Sequence, residues 1–285
     1  MKKKHKKNKK IKKNKNQKLK AKNKLVVNSI YENIKNEHKS LYNSYQFKTK
    51  NQKYTLKIIL EACVYFIRIS CSFNNFKYKK IKPHAFYKNY VKLNKYKIFE
   101  STYNNLLNKY LNKNKIKHIY TDTSTFYNKY NTDKVKRNKY FKNKKVLKLS
   151  LMTNELGIPL NIDLYSGNMN DSNICNKQLD ELNKKLIDKN NSIFMADAGY
   201  DSSIIRNKLN GIFNKILIPQ NKRNIRDQNK IKVFTNEEKK LYKLRIKIEN
   251  TFLKIKKNRR LEIVYEKKSE NFKQLIFLSL INFLI

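Results

Sequence analysis

Three acids stand out by the company they keep. Asp122 follows the apolar, β-rich run Ile116–Thr121 (I-K-H-I-Y-T), and Asp197 follows a second such run, Ser192–Ala196 (S-I-F-M-A). An acid where a strand ends can leave the sheet for a cleft, which is where open α/β sheets bind ligands; it can also simply cap the next turn. Glu249 lies on a third segment. Thr235-Asn236-Glu237-Glu238 has the form of a capping box and predicts a helix over Glu237–Lys257. On that helix Leu241, Leu244, Ile248, Phe252 and Ile255 share an arc of roughly 80° that must pack on the sheet. Tyr242, Arg245, Glu249 and Lys256 fill a separate arc of roughly 60° beside it. Glu249 is therefore expected at the edge of the buried face, either as an i, i+4 partner of Arg245 or as a third carboxylate aimed at Asp122 and Asp197.

Three convergent carboxylates repel one another unless cations lie between them. Oxygen-only ligation selects hard ions, Mg²⁺ or Mn²⁺. Two such ions roughly 4 Å apart can activate a water or a 3′-hydroxyl and stabilise the leaving oxygen of a phosphodiester.

The elements that must position these groups follow from periodicity. Apolar residues recur at helical spacing from Asn51 to Lys113, with a break at Pro83, and predict three or four short helices. At Lys115 the period changes. Val146–Thr153 alternates as a half-buried strand, Asn154–Gly157 turns, and Ile158–Tyr165 reads as the hairpin partner. Ile174–Ile187 reads as a helix, Ser202–Leu209 as another capped by Asp201, and Lys215–Ile218 as a strand stopped by Pro219. Hairpin strands, strand–helix alternation and a closing helix predict a mixed α/β sheet.

Composition narrows the partners. The chain has 67 Lys or Arg against 21 Asp or Glu in 285 residues, a formal charge of +46. Residues 2–24 carry fourteen lysines and no acid, and are too polar to bury anything, which predicts a disordered basic arm over 1–24. Lys, Asn, Ile and Tyr are favoured by an AT-rich genome, so part of this excess reads as drift. A body this basic nonetheless calls for a polyanion, and nucleic acid is the usual one. Other schemes are excluded. The four glycines are never closer than ten residues, so no Gly-rich phosphate loop can be written. Cys63, Cys71 and Cys175 form no C-x-x-C pair and read as reduced thiols in an intracellular compartment, and the four histidines are too scattered for a zinc site. The apolar stretch Leu275–Ile285 is about half the roughly 20 residues a bilayer span needs.

At these residues the sequence resembles the DDE transposases of the bacterial insertion-sequence type. The first motif is Y-T-D-T-S-T around Asp122. The second combines Gly157-Ile158-Pro159-Leu160 and Asn168-Met169-Asn170-Asp171-Ser172, leading to M-A-D-A-G-Y-D-S, which carries Asp197. The third is the spaced Tyr–Arg–Glu–Lys signature, here Tyr242, Arg245, Glu249 and Lys256, continued by Arg259-Arg260-Leu261 and Tyr265-Glu266. The likeness is clear over roughly 115–280 and weak over 50–113. The 52 residues from Asp197 to Glu249 leave no room for a large inserted domain.

The resemblance implies a ribonuclease-H-like catalytic domain over 114–285, preceded by a helical, DNA-binding region over 25–113; the basic arm is not a feature of that family. It implies metal-dependent strand cleavage at element ends and transfer of the freed 3′-hydroxyl into target DNA. Asp122 would bridge two Mg²⁺ or Mn²⁺ ions, and Asp197 and Glu249 would each hold one; Asp171 would be an accessory acid or, the preferred reading, a structural one. Tyr242, Arg245, Lys256, Arg259 and Arg260 would meet DNA. Holding two ends implies at least a homodimer on DNA, inside a cell with its genome. The alternative is an inactive or domesticated DNA-binding descendant, against which the intact set of acids argues.

Overall fold

The computed structural model describes residues 2–46, 54–128, 130, 133–182, 186–188, 190–221 and 233–285. They divide into two units, 1–106 with 274–285, and 107–273. The division thus falls a few residues before the expected one, and residues 274–285 go with the first unit.

The first unit is helical: α1 (Lys2–Glu37), α2 (Lys39–Gln46), α3 (Leu56–Phe66), α4 (Pro83–Lys95) and the start of α5 (Ile98–Leu111). Pro83 begins α4, where its missing N–H costs nothing. Residues 2–24, expected as a basic arm, belong to α1. Lysine is among the better helix formers, so helical backbone does not require a buried face there. Buried side chains of α1 are Val26, Val27, Ile30, Asn33 and Ile34, which share one face and pack in this unit. Aromatic rings fill the space beside α3 and α4, with Phe76 and Phe86 4.1 Å apart and Phe66 in contact with both.

The second unit is built on one mixed sheet. β1 (His118–Asn128) runs antiparallel to β3 (Lys144–Thr153), which runs antiparallel to β4 (Pro159–Ser166). β5 (Ile193–Met195) is parallel to β1, and β6 (Lys215–Leu217) is parallel to β5. The short β2 (Lys136–Asn138) pairs with β3, and β7 (Ile263–Val264) with β1. The main order is β4-β3-β1-β5-β6, three antiparallel strands followed by two parallel ones. The crossovers run through α6 (Asp171–Glu181) and α7 (Ser203–Leu209). This is a mixed sheet flanked by helices, the architecture that the sequence resemblance implies. Helix α6 covers part of the helix expected over Ile174–Ile187, of which residues 183–185 lie outside the described ones.

The closing helix comes in two pieces, α8 (Asn236–Tyr242) and α9 (Ile246–Lys256), joined by a tighter 3-10 turn at Lys243–Arg245. The expected capping box is present: Glu238 N–H donates to Thr235 Oγ1 and Thr235 N–H to Glu238 Oε2. The apolar stripe buries Ile248, Phe252 and Ile255, with Thr251 beside them. Leu244 stays 39% exposed, because the tighter turn shifts the upstream residues off the line of the stripe. A short α10 (Arg259–Glu262) and α11 (Ser269–Leu280) follow.

Candidate active site

Asp122 does not end its strand. β1 continues to Asn128, since Thr, Phe and Tyr of T-S-T-F-Y favour extended backbone, and Asp122 pairs with Leu151 of β3. On its other edge the picture differs. Pairing with β5 stops at Tyr120, and pairing with β7 begins at Tyr127. Asp122 and Ser124 therefore lie along a stretch of β1 that, among the described strands, has a neighbour on one side only. Asp197 lies two residues past the end of β5 and caps the turn Ala198–Tyr200, its Oδ1 accepting from Gly199 N–H at 2.7 Å. A Cβ at position 199 would lie 3.0 Å from that oxygen, so glycine lets the turn close.

Three signature side chains fasten the closing helix across this edge. Tyr242 donates its hydroxyl to the Ala196 carbonyl at 3.1 Å. Arg245 donates from Nη1 to Asp122 Oδ2 and from Nη2 to Glu249 Oε1, both at 2.9 Å. Lys256 donates to Ser124 Oγ at 2.7 Å and lies over the Phe126 ring. A fourth contact fixes the other side of α9: Thr251 Oγ1 donates to the carbonyl of Gly157 at the β3–β4 turn. The register of helix against strand is set by these contacts.

Burial pushes the Asp122 carboxyl up to about 6, outweighing the stabilising charge and hydrogen bond of Arg245, with Asp197 adding repulsion. Burial opposes the Arg245 cation, but Asp122 above all, with Tyr242 and Glu249, outweighs it and holds the guanidinium the more firmly charged. The charged guanidinium is the secure one, because Asp122 and Glu249 both face it. Burial lowers Lys256 and raises Tyr242.

The acids meet around Arg245 more than around each other. Among the described residues no group of three His, Cys, Asp or Glu stands close enough to hold an ion. The donor types nonetheless suit a hard cation: Asp122 and Glu249 share a cationic partner, and Asp197 is near enough to raise Asp122 by repulsion. Glu249 retains 45% side-chain exposure.

The family described as "Transposase DDE domain" matches residues 113–284. The chain belongs to this family. No curated protein matches it. Among solved structures, the "Mos1 transposase paired-end complex with left transposon end" is 13% identical, covering 78% of this chain and 77% of its own, with a TM-score of 0.26. No described helix of this transposase is long and apolar enough to cross a membrane.

The transposase domain also contains polar groups that sequence patterning assigns wrongly. Lys148 and Ser150 fall on what reads as the solvated side of a half-buried strand, yet both are buried, because α6 covers that face. Lys148 donates to Asp171 and to the Met169 carbonyl, each at 2.8 Å, and Thr123 Oγ1 donates to Asp171 at 2.9 Å. Asp171 thus braces the residue next to Asp122 from the opposite face of β1. Asp201 is not a helix cap: it binds Arg206 Nε and the Asn221 N–H. Arg260, expected at DNA, is 2% exposed and donates to Glu266 at 2.9 Å, a contact that ties α10 to the segment after it; Arg259 beside it is exposed. An Arg-Arg pair carries no sequence signal of which member turns inward. That choice is made by the buried Glu266.

Proposed function

We propose that this transposase nicks DNA at the ends of its element and joins the freed 3′-hydroxyl to target DNA, using Asp122, Asp197 and Glu249. The observation that carries the reading is the Asp122–Arg245–Glu249 bridge. It ties acids from β1 and α9 to one point beside the end of β5, where Asp197 begins. Asp122, Asp197 and Glu249 would hold Mg²⁺ or Mn²⁺, which when bound supplies an activated water or 3′-hydroxyl and a counter-charge for the phosphate in transition. Arg245 bridges the two acids and holds them in place. Tyr242, through the Ala196 carbonyl, ties the closing helix to the residue preceding Asp197. Lys256 and Arg259 lie next along the chain and offer cations to the DNA backbone. Holding two element ends together calls for at least two copies on DNA.

The test is the full chain with Mg²⁺ or Mn²⁺ and duplex DNA bearing the inverted repeats that flank its gene. Nicking and joining are expected, with both lost in Asp122→Ala while binding persists. Wild-type protein that binds these ends without cutting them would mean a DNA-binding descendant.

A further inference from the structure

Within the first unit, α1 and α3 line a cavity of about 340 Å³ that the strand-transfer chemistry does not use. We propose that it takes one unstacked nucleotide of a DNA strand, with the base on Tyr65 and the phosphates among Lys20, Lys24, Lys57 and Arg68. This rests on the reading of the chain as a DNA-acting enzyme and deepens it.

The charges are the first reason. Lys20 and Lys24, one turn apart on α1, face the same cavity as Lys57 and Arg68. Four cations around one space repel each other unless an anion joins them. The one acid of the lining, Glu61, is already engaged by the Tyr78 hydroxyl at 3.2 Å and by Lys79, which offsets its charge. Arg68 donates from Nη2 to Asn23 Oδ1, so its fork is oriented before any ligand arrives. A held, partly desolvated guanidinium suits a phosphate better than a mobile one in water.

The rings are the second reason. Tyr65 is 41% exposed and lines the cavity. It packs against Tyr78, which also lines the cavity, with ring centres 5.2 Å apart, and against the buried Phe76 at 6.2 Å. A ring held by its neighbours and partly open is a stacking platform, and every base has a face to lay on it. The volume is at the lower end of small-molecule sites, which suits one nucleotide and not a duplex. Drawing a base from a duplex carries an unstacking cost, so single strands are favoured.

The full chain, without divalent cation, is titrated against a labelled eight-residue oligo-dT and against the same backbone with abasic sugars. Wild type is expected to favour oligo-dT by roughly fivefold or more, the lower end of one base–aromatic stack. Tyr65→Leu should abolish that preference and leave abasic binding unchanged. Lys24→Gln with Lys57→Gln should weaken both probes and flatten the salt dependence by about 0.7 per lost phosphate contact. Equal wild-type affinity for the two probes overturns the proposal, as does a preserved preference in Tyr65→Leu. If Tyr65→Leu does not fold, the wild-type preference and the lysine variant decide by themselves. Wild type that cuts element ends yet shows no preference for oligo-dT overturns the cavity alone; protein that neither binds nor cuts DNA overturns the proposed function as well.

Discussion

Arg245 and Asp122 are 123 residues apart in the chain, yet Arg245 Nη1 donates to Asp122 Oδ2 at 2.9 Å with both side chains mostly buried. The other end of the same guanidinium holds Glu249. One planar cation therefore joins the closing helix to the central strand and holds two acids that would otherwise repel. Arginine does this and lysine does not, since only a fork addresses two carboxylates from fixed directions.

Removing that cation should loosen α9 and leave Asp122 buried beside Asp197. Arg245→Ala is expected to lower unfolding free energy by about 1–3 kcal/mol in urea titration, with Arg245→Lys recovering part of it. An Arg245→Ala variant as stable as wild type would show that the bridge does not hold the helix.

Glu249 is the acid whose part in catalysis can be tested with least harm to the fold, because it keeps substantial exposure. Glu249→Gln should change stability by no more than about 0.5–1 kcal/mol. Strand cleavage should fall by roughly a hundredfold or more, as for loss of a ligand to a catalytic ion, while DNA binding holds. Glu262→Gln, on the exposed side of α10, is the control, and near-wild-type cleavage by Glu249→Gln would falsify the assignment. Glu266 is no control, since it is buried against Arg260.

The Arg260–Glu266 pair is 2% and 4% exposed, and burial raises Glu266 despite its partner. Arg260→Met alone strands a buried carboxylate and should cost about 3–5 kcal/mol by chemical denaturation. Arg260→Met with Glu266→Leu should restore much of that. DNA affinity of the folded protein should be unchanged in both, as read by anisotropy; weakened binding in the stable double variant would return Arg260 to the DNA interface.

Gly157 turns the β3–β4 hairpin with φ +77°, and a Cβ there would lie 2.8 Å from Thr251 Oγ1 and 3.2 Å from the Lys247 carbonyl. Gly157→Ala combines a left-handed backbone with a clash against α9, and should destabilise by about 1–3 kcal/mol. Thr251→Val, which loses the hydroxyl bonded to the Gly157 carbonyl, should cost less. Thermal unfolding of the two variants gives the ranking, and a silent Gly157→Ala would mean the hairpin and helix move apart freely.

His118 begins β1, and burial holds its imidazole below the usual histidine range. Its buried Nδ1 has no hydrogen-bond partner among the described residues. The unfolded chain binds this proton more readily than the folded one, so stability is lost as pH falls below about 6.5 toward the folded value. His118→Gln should flatten that part of the pH–Tm curve and leave it unchanged above neutrality. Parallel curves for the two proteins would exclude the imidazole as the cause.

Much of this was legible in the residues alone because it is local. The capping box at Thr235, the hairpin turning at Gly157, the strand runs before Asp122 and Asp197 and the helical arc carrying Glu249 depend on near neighbours and on periods of 2 and 3.6. The spaced signature and the acid motifs were likewise complete in the sequence, and the family they indicated is the one the chain belongs to. What only the tertiary structure decided are the long-range choices. The length of β1 beyond Asp122 depends on β3 pairing along it, and the burial of Lys148 depends on α6 covering a face that an isolated strand would show to water. Whether Arg259 or Arg260 turned inward depended on a carboxylate six residues further on, and whether Arg245 found Asp122 depended on a contact closing 123 residues of chain. Periodicity fixes which side of an element is apolar. It does not say what will lie against the other side, because that partner is brought there by the rest of the fold.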